Sequence, residues 1–237
     1  MTTYVLVHGA WHGGWCWCRV LTCLHSESRE VQGFAPTLTG LGDRFHLASP
    51  EIDLSVHVRD VLSVIEDHNL HDVILVGHSY AGMVITTVAE RVPERLAQLV
   101  YLDAFVPLDG QSLADIIGPA LTQDILRQAH SGGRGWLVPP LPPEDFGVSD
   151  EDDVRWMKER LVAHPLRTIF EPVRLGNAAA ALPRAFIYCN KPELGLFKPF
   201  AERAKTQGWQ YNELGTGHDA MITQPQQLAA LLLEIGR

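Results

Sequence analysis

The chain has no apolar run approaching the roughly 20 residues that a bilayer span requires, which argues against a membrane helix. It is also poor in cysteine. Four thiols (Cys16, Cys18, Cys23 and Cys189) in 237 residues do not make a disulfide framework. Cys16-Trp17-Cys18 has neither zinc-knuckle nor Cys-x-x-Cys redox spacing, so reduced, packed cysteines are expected. Basic residues are outnumbered, 19 against 28 acidic, giving a formal net charge of −9 that disfavours nucleic acid or an anionic membrane as the main partner. Nucleotide-loop signatures are missing too. Glycines 9, 13 and 14 do not fit Gly-x-Gly-x-x-Gly, and no Gly-Lys-Ser/Thr follows a strand. There is no repeat or low-complexity tract. Met1-Thr2-Thr3 runs straight into an apolar strand, leaving no room for a signal-peptide core, and a cytoplasmic location is the expectation.

What is present has the makings of one sizeable α/β core, or a core with a small insertion. Short apolar runs at 4–7, 31–34, 73–76, 99–102, 185–189 and 209–214 read as strands. Between them lie helical stretches at 15–24, at 54–65 and from the 73–76 run to about 91. Leu54, Val58, Val61, Leu62 and Ile65 form the stripe of an amphipathic helix. A closing helix has Pro225 in its first turn and Gly236 at its end. This alternation predicts a mostly parallel six-stranded sheet with helices on both faces. Residues 35–50 read as a long surface excursion. Residues 108–182 break the rhythm with prolines at 119, 139, 140, 142, 143, 165 and 172 and one helix near 150–163, where Ser149 and Asp152 resemble a capping box. The acids between 144 and 153 read as a solvated loop and helix start. The expected organisation is therefore a core at 1–107 and 183–237 with a small helical cap inserted at 108–182.

The chemistry concentrates in Gly77-His78-Ser79-Tyr80-Ala81-Gly82, directly after Val73-Ile74-Leu75-Val76. A serine among small residues at a strand-to-helix junction reads as a nucleophile elbow. Serine needs a base, an orienting acid and donors for a developing oxyanion. His218, in Gly215-Thr216-Gly217-His218-Asp219 between the last strand and the last helix, is the base the pattern points to. Two acids keep the order Ser, acid, His. Asp103 ends the strand after the serine strand, and Glu193 follows the next core strand. Asp103 is preferred because it is short and flanked by apolar residues, where a carboxylate needs a partner such as imidazolium. Asp219 reads as a cap for its own loop. The backbone N–H of Tyr80, and that of Ala10 in His8-Gly9-Ala10-Trp11, are the candidate oxyanion donors. Trp11, Tyr80, Phe105, Trp136 and Trp156 are candidates for an apolar pocket under the cap. His8 and His12 lie four apart on a glycine-rich loop rather than on one helical face, so no metal site is expected.

With these loops assembled, the chain resembles the α/β-hydrolase superfamily. Within it, the chain is most similar to the plant methylesterases and hydroxynitrile lyases and their bacterial esterase relatives. The resemblance rests on Tyr4-Val5-Leu6-Val7-His8-Gly9-Ala10-Trp11, on Val76-Gly77-His78-Ser79-Tyr80 and on Tyr101-Leu102-Asp103-Ala104-Phe105-Val106-Pro107, and it weakens across the cap. It implies a cofactor-free fold with a six-stranded core, Ser79, an Asp or Glu and His218 as a triad, and Ala10 and Tyr80 as oxyanion donors. Family elbows usually continue with Gly where this chain has Ala81. The family acid usually follows the strand at 185–189, where Pro192-Glu193 matches poorly. Cyanohydrin-cleaving members carry a lysine directly after the histidine to hold cyanide, whereas Asp219 stands here. The expected activity is thus carboxylic ester hydrolysis of a small-molecule substrate by a Ser-His-Asp enzyme. Lactonase, thioesterase, cyanohydrin lyase and slow-turnover ligand receptor are the alternatives, and a homodimer is left open.

Overall fold

The structure is a computed structural model and describes residues 2–236. Strand β1 (Thr2–Val7) leads through a 3-10 turn into α1 (Cys18–Glu27), β2 (Val31–Phe34), α2 (Leu54–Asp67), β3 (Val73–His78), α3 (Ala81–Arg91) and β4 (Leu96–Leu102). Next come α4 (Leu113–Gly132), the short strand β5 (Leu137–Val138), α5 (Glu151–Lys158) and β6 (His164–Pro165). The alternation resumes with β7 (Arg184–Cys189), α6 (Lys198–Thr206), β8 (Gln210–Leu214), α7 (Ala220–Thr223) and α8 (Pro225–Ile235). Among the described residues, the main sheet has the order β2-β1-β3-β4-β7-β8 with every neighbouring pair parallel. β5 and β6 form a separate antiparallel pair.

The strands are apolar at consecutive positions because both faces of the sheet are covered. Val73, Leu75, Leu99 and Tyr101 point into one core with Val58, Val61 and Ile65 of α2 and with α3 and α6. Ile74, Val76, Val100 and Leu102 point into the other, against Val20 and Leu24 of α1 and Leu228 and Leu232 of α8. The chain leaves β1 towards β2 and then returns to place β3 on the other side of β1. Such a reversal of winding opens a crevice beyond the carboxyl ends of the strands. Among the described residues, no helix is long and apolar enough to cross a membrane.

Five local readings need correction. The 35–50 segment is no mere surface excursion: Leu38 and Leu41 are fully buried, and a 3-10 turn spans Gly42–Leu47. Asp150, not Ser149, caps α5, its Oδ1 accepting from the N–H groups of Asp152 and Asp153 at 3.0 Å each. That helix stops at Lys158, and His164 instead pairs with Val138 across β5 and β6. Helix α4 lay hidden behind its proline. A capping box of Ser112 and Asp115 starts it, and Gly118, at φ 78°, breaks the helical run so that Pro119 begins the second half. Helix α6 was missed because only Ala201 and Ala204 of its polar sequence are buried.

Candidate active site

Three loops and one strand end converge at the carboxyl edge of the sheet. They follow β1 (residues 8–14), β3 (79–80), β4 (Asp103) and β8 (215–219). The β1 and β3 loops flank the reversal of winding. Ser79 sits at φ 56°, a left-handed conformation that a side-chain-bearing residue adopts only under constraint. The constraint is a weave of backbone bonds. Ser79 N–H donates to the Leu102 carbonyl at 3.2 Å, and the Ser79 carbonyl accepts from Gly82 at 3.1 Å and Phe105 at 3.2 Å. Gly82 permits this approach, since a Cβ there would lie 1.9 Å from the Phe105 oxygen. Asp103, inside the same weave, also has a positive φ of 41°.

Asp103 is 1% exposed, and its Oδ2 accepts from His218 Nδ1 at 2.7 Å. Its Oδ1 accepts from the Cys189 N–H at 3.3 Å, and its own N–H donates to the Ile187 carbonyl at 2.8 Å. Burial pushes the carboxyl pKa up, and the bonds from His218 and Cys189 only partly oppose it. An ionised carboxylate only accepts, so His218 Nδ1 carries the hydrogen and Nε2 is left as the basic nitrogen. The His218 ring stacks on Phe197 with centroids 4.7 Å apart, and it lies 4.3 Å from the His78 ring and 5.9 Å from Phe146. His78 Nε2 donates to the His218 carbonyl at 3.1 Å, so the residue before Ser79 holds the histidine loop. Ser79 is half-buried, and among the described residues its hydroxyl makes no hydrogen bond, to His218 Nε2 or otherwise. Contacts of this kind often tighten only when substrate is bound. Glu193 is elsewhere: exposed, it accepts from the Tyr188 hydroxyl at 2.9 Å and faces Lys198 at 3.5 Å.

The loop after β1 is pinned by two buried histidines. His8 Nδ1 donates to the Gly9 carbonyl at 2.8 Å while its Nε2 accepts from the Leu38 N–H at 3.0 Å. It is therefore neutral, and burial lowers its pKa to about 3. His12 bonds to the Ala10 carbonyl at 2.7 Å and to Asp219 Oδ2 at 3.1 Å. Asp219 is fully buried and turned inward, and its side chain makes no cap to α7. Gly9 lies against the elbow, where a Cβ would come within 2.9 Å of Ser79 Cβ. Among the described residues, neither Ala10 nor Tyr80 donates its backbone N–H to a protein acceptor.

The expected pocket residues divide. Trp11, at φ 66°, packs its ring against Phe146 (5.8 Å) and His164 (6.4 Å) and donates Nε1–H to the Val138 carbonyl at 3.0 Å. The Tyr80 ring meets His164 at 4.8 Å, and its hydroxyl bonds to His57 at 2.9 Å. Phe105 is buried between Phe197 (4.9 Å) and Phe200 (5.9 Å), and Trp136 is half-buried just before β5. Trp156 does not join them. Its ring lies between Arg19 and Arg160 and edge-on to Trp15, which in turn stacks on His12. Two residues against the His218 ring, Phe146 and Phe197, escaped the sequence reading because neither belongs to a periodic segment. His78, His218 and Asp219 bring one donor atom each within 4.8 Å of one another. All three already have partners: Asp103 for His218, His12 for Asp219 and the His218 carbonyl for His78.

The model of the alpha/beta hydrolase family matches residues 4–231. A carbendazim hydrolyzing esterase of Nocardioides sp. (strain SG-4G) is 40% identical over 246 residues, covering 100% of this chain and 100% of its own. A pheophorbidase of Raphanus sativus is 29% identical over 251 residues, covering 97% of this chain and 92% of its own. Among solved structures, an extracellular alpha/beta-hydrolase from a Paenibacillus species superposes with a TM-score of 0.86 at 25% identity over 100% of both chains.

Proposed function

This chain belongs to the alpha/beta hydrolase family, and we propose that it hydrolyses carboxylic esters of small, largely apolar substrates through an acyl-enzyme on Ser79. His218 Nε2 takes the Ser79 proton, Ser79 Oγ attacks the ester carbonyl, and the free N–H groups of Ala10 and Tyr80 receive the oxyanion. His218 then protonates the leaving alcohol and afterwards activates water. The single observation that carries this reading is the 2.7 Å bond from His218 Nδ1 to buried Asp103, which leaves Nε2 basic beside the elbow. The esterase named among the relatives supports the substrate class, and carbendazim itself belongs in the test panel. Trp11, Phe105, Phe146 and Phe197 supply apolar walls, and residues 108–182 act as the cap over them. The free state of Cys16, Cys18, Cys23 and Cys189 fits a reducing, cytoplasmic compartment.

The test is a fluorophosphonate label mapped by mass spectrometry, alongside turnover of p-nitrophenyl and methyl esters of varied acyl length. Label on Ser79, with turnover abolished in Ser79→Ala and its circular dichroism unchanged, is the expected result. Retained turnover in Ser79→Ala overturns it. Lactones and thioesters pass through analogous tetrahedral intermediates and are separated by assaying them beside the ester panel. Cyanide release from a cyanohydrin marks a lyase, and a single burst without steady-state rate marks a receptor.

A further inference from the structure

Asp219, fully buried beside the proposed base, has no part in the reaction above, and neither has His12. Their hydrogen bonds nevertheless define a charge state. His12 Nδ1 faces a carbonyl oxygen at 2.7 Å and Nε2 faces a carboxylate oxygen at 3.1 Å. Both partners only accept, so both ring nitrogens must donate, and a ring with two N–H groups is an imidazolium. Burial is the largest single influence and works against that charge, but the adjacent Asp219 carboxylate and the Ala10 carbonyl together outweigh it and raise the His12 pKa.

The pair also lies where three loops meet. His12 brings in the loop that carries Ala10. Asp219 Oδ1, which has no hydrogen bond of its own, stands 3.6 Å from Nε2 of His78 in the elbow. Asp219 itself is the residue after His218. The bond from His12 fixes the carbonyl of Ala10, and so the peptide that leads into the left-handed turn at Trp11. A neutral histidine has one N–H and could hold Ala10 or Asp219, but not both.

Resting on the esterase reading, we propose that the buried His12–Asp219 ion pair is a positioning device that keeps the Ala10 oxyanion donor in register with His218. Neither residue is a catalytic residue, since both are closed off from any substrate. A shift of about 1 Å in such a group is enough to cost about 10²-fold in rate.

The experiment compares Asp219→Ala, Asp219→Asn and the double variant His12→Ala with Asp219→Ala, using an ester the parent turns over. In Asp219→Ala, kcat falls at least about tenfold while KM stays within about twofold. Asp219→Asn recovers most of that loss, because its amide donates to Nε2 of a neutral His12 whose Nδ1–H still holds Ala10. The double variant leaves no orphan charge and folds even where Asp219→Ala does not. Where Asp219→Ala folds, the double variant has the same kcat, the truncation of His12 adding no further loss. Wild-type kcat in either folded Ala variant, a change in KM alone, or Asp219→Asn no better than Asp219→Ala overturns the proposal. Nitrogen-15 shifts of the His12 ring give a readout independent of turnover: doubly protonated at pH 7 in the parent and singly protonated in Asp219→Asn. A singly protonated ring in the parent also overturns it. Failure of the esterase reading shows separately, as a parent protein whose Ser79 takes no fluorophosphonate.

Discussion

Trp11, Ser79 and Asp103 stand at φ values of 66°, 56° and 41°, where a Cβ crowds its own backbone. Each such residue costs on the order of 1–3 kcal/mol, and it persists only where its surroundings over-determine it. For Ser79 and Asp103 the surroundings are the bonds to Leu102, Gly82, Phe105 and Ile187. Asp103 adds a second cost. Burial raises its folded pKa, so its favourable contribution is present below its unfolded value and is lost as pH rises through the folded one. At neutral pH the ionised carboxylate therefore works against the fold while holding the histidine. Asp103→Asn is expected to cut kcat by about 10³–10⁴ without lowering the thermal midpoint. Glu193→Gln, at an exposed acid bound to Tyr188 and Lys198, is expected to change kcat less than about twofold. Steady-state kinetics and thermal melts of both variants check this, and a loss confined to Glu193→Gln refutes the choice of acid. The sequence left two acids open because both follow strands that end at the same edge. Only the tertiary fold shows which carboxylate faces the imidazole.

At the scale of elements, the strands of the main sheet were legible and most elements between β4 and β7 were not. A strand buried on both faces must be apolar at every position, and runs such as Val73-Ile74-Leu75-Val76 show this in one dimension. The segment between β4 and β7 contributes short or kinked pieces whose apolar residues have no sustained period, and Pro119 and Pro143 begin helical turns rather than end them. The start of α5 shows the limit of a motif. Ser149 fits the spacing of a capping box, yet Asp150 makes the two bonds. Asp150→Ala is expected to destabilise the protein by about 1 kcal/mol in urea titrations. Ser149→Ala should change it by less than about 0.5 kcal/mol, and the reverse order of effects rejects the assignment.

For the whole molecule, buried histidines set the response to acid. Burial holds His8 at about 3 and His57 at about 4, and His78 and His164 are also lowered. The unfolded chain takes up these protons near pH 6.5, so stability is full above that value and is lost as pH falls from there towards 4 and below. At pH 5, His8 and His57 together remove about 4 kcal/mol, against a typical total of about 5–15 kcal/mol. His12 has the opposite sign, its contribution being present at low pH and lost as pH rises through its raised value. Urea unfolding at pH 7.5 and pH 5 measures the sum, and equal free energies at both would refute it. The segment between β4 and β7 adds a mechanical property at this scale. Trp11 is fastened to it twice, through its ring nitrogen to Val138 and through its carbonyl to the Val162 N–H. Under the proposed roles of residues 108–182 and Ala10, any displacement that carries Val138 and Val162 also tugs the neighbouring Ala10 amide, so admitting a guest and disarming the anion cradle become one motion.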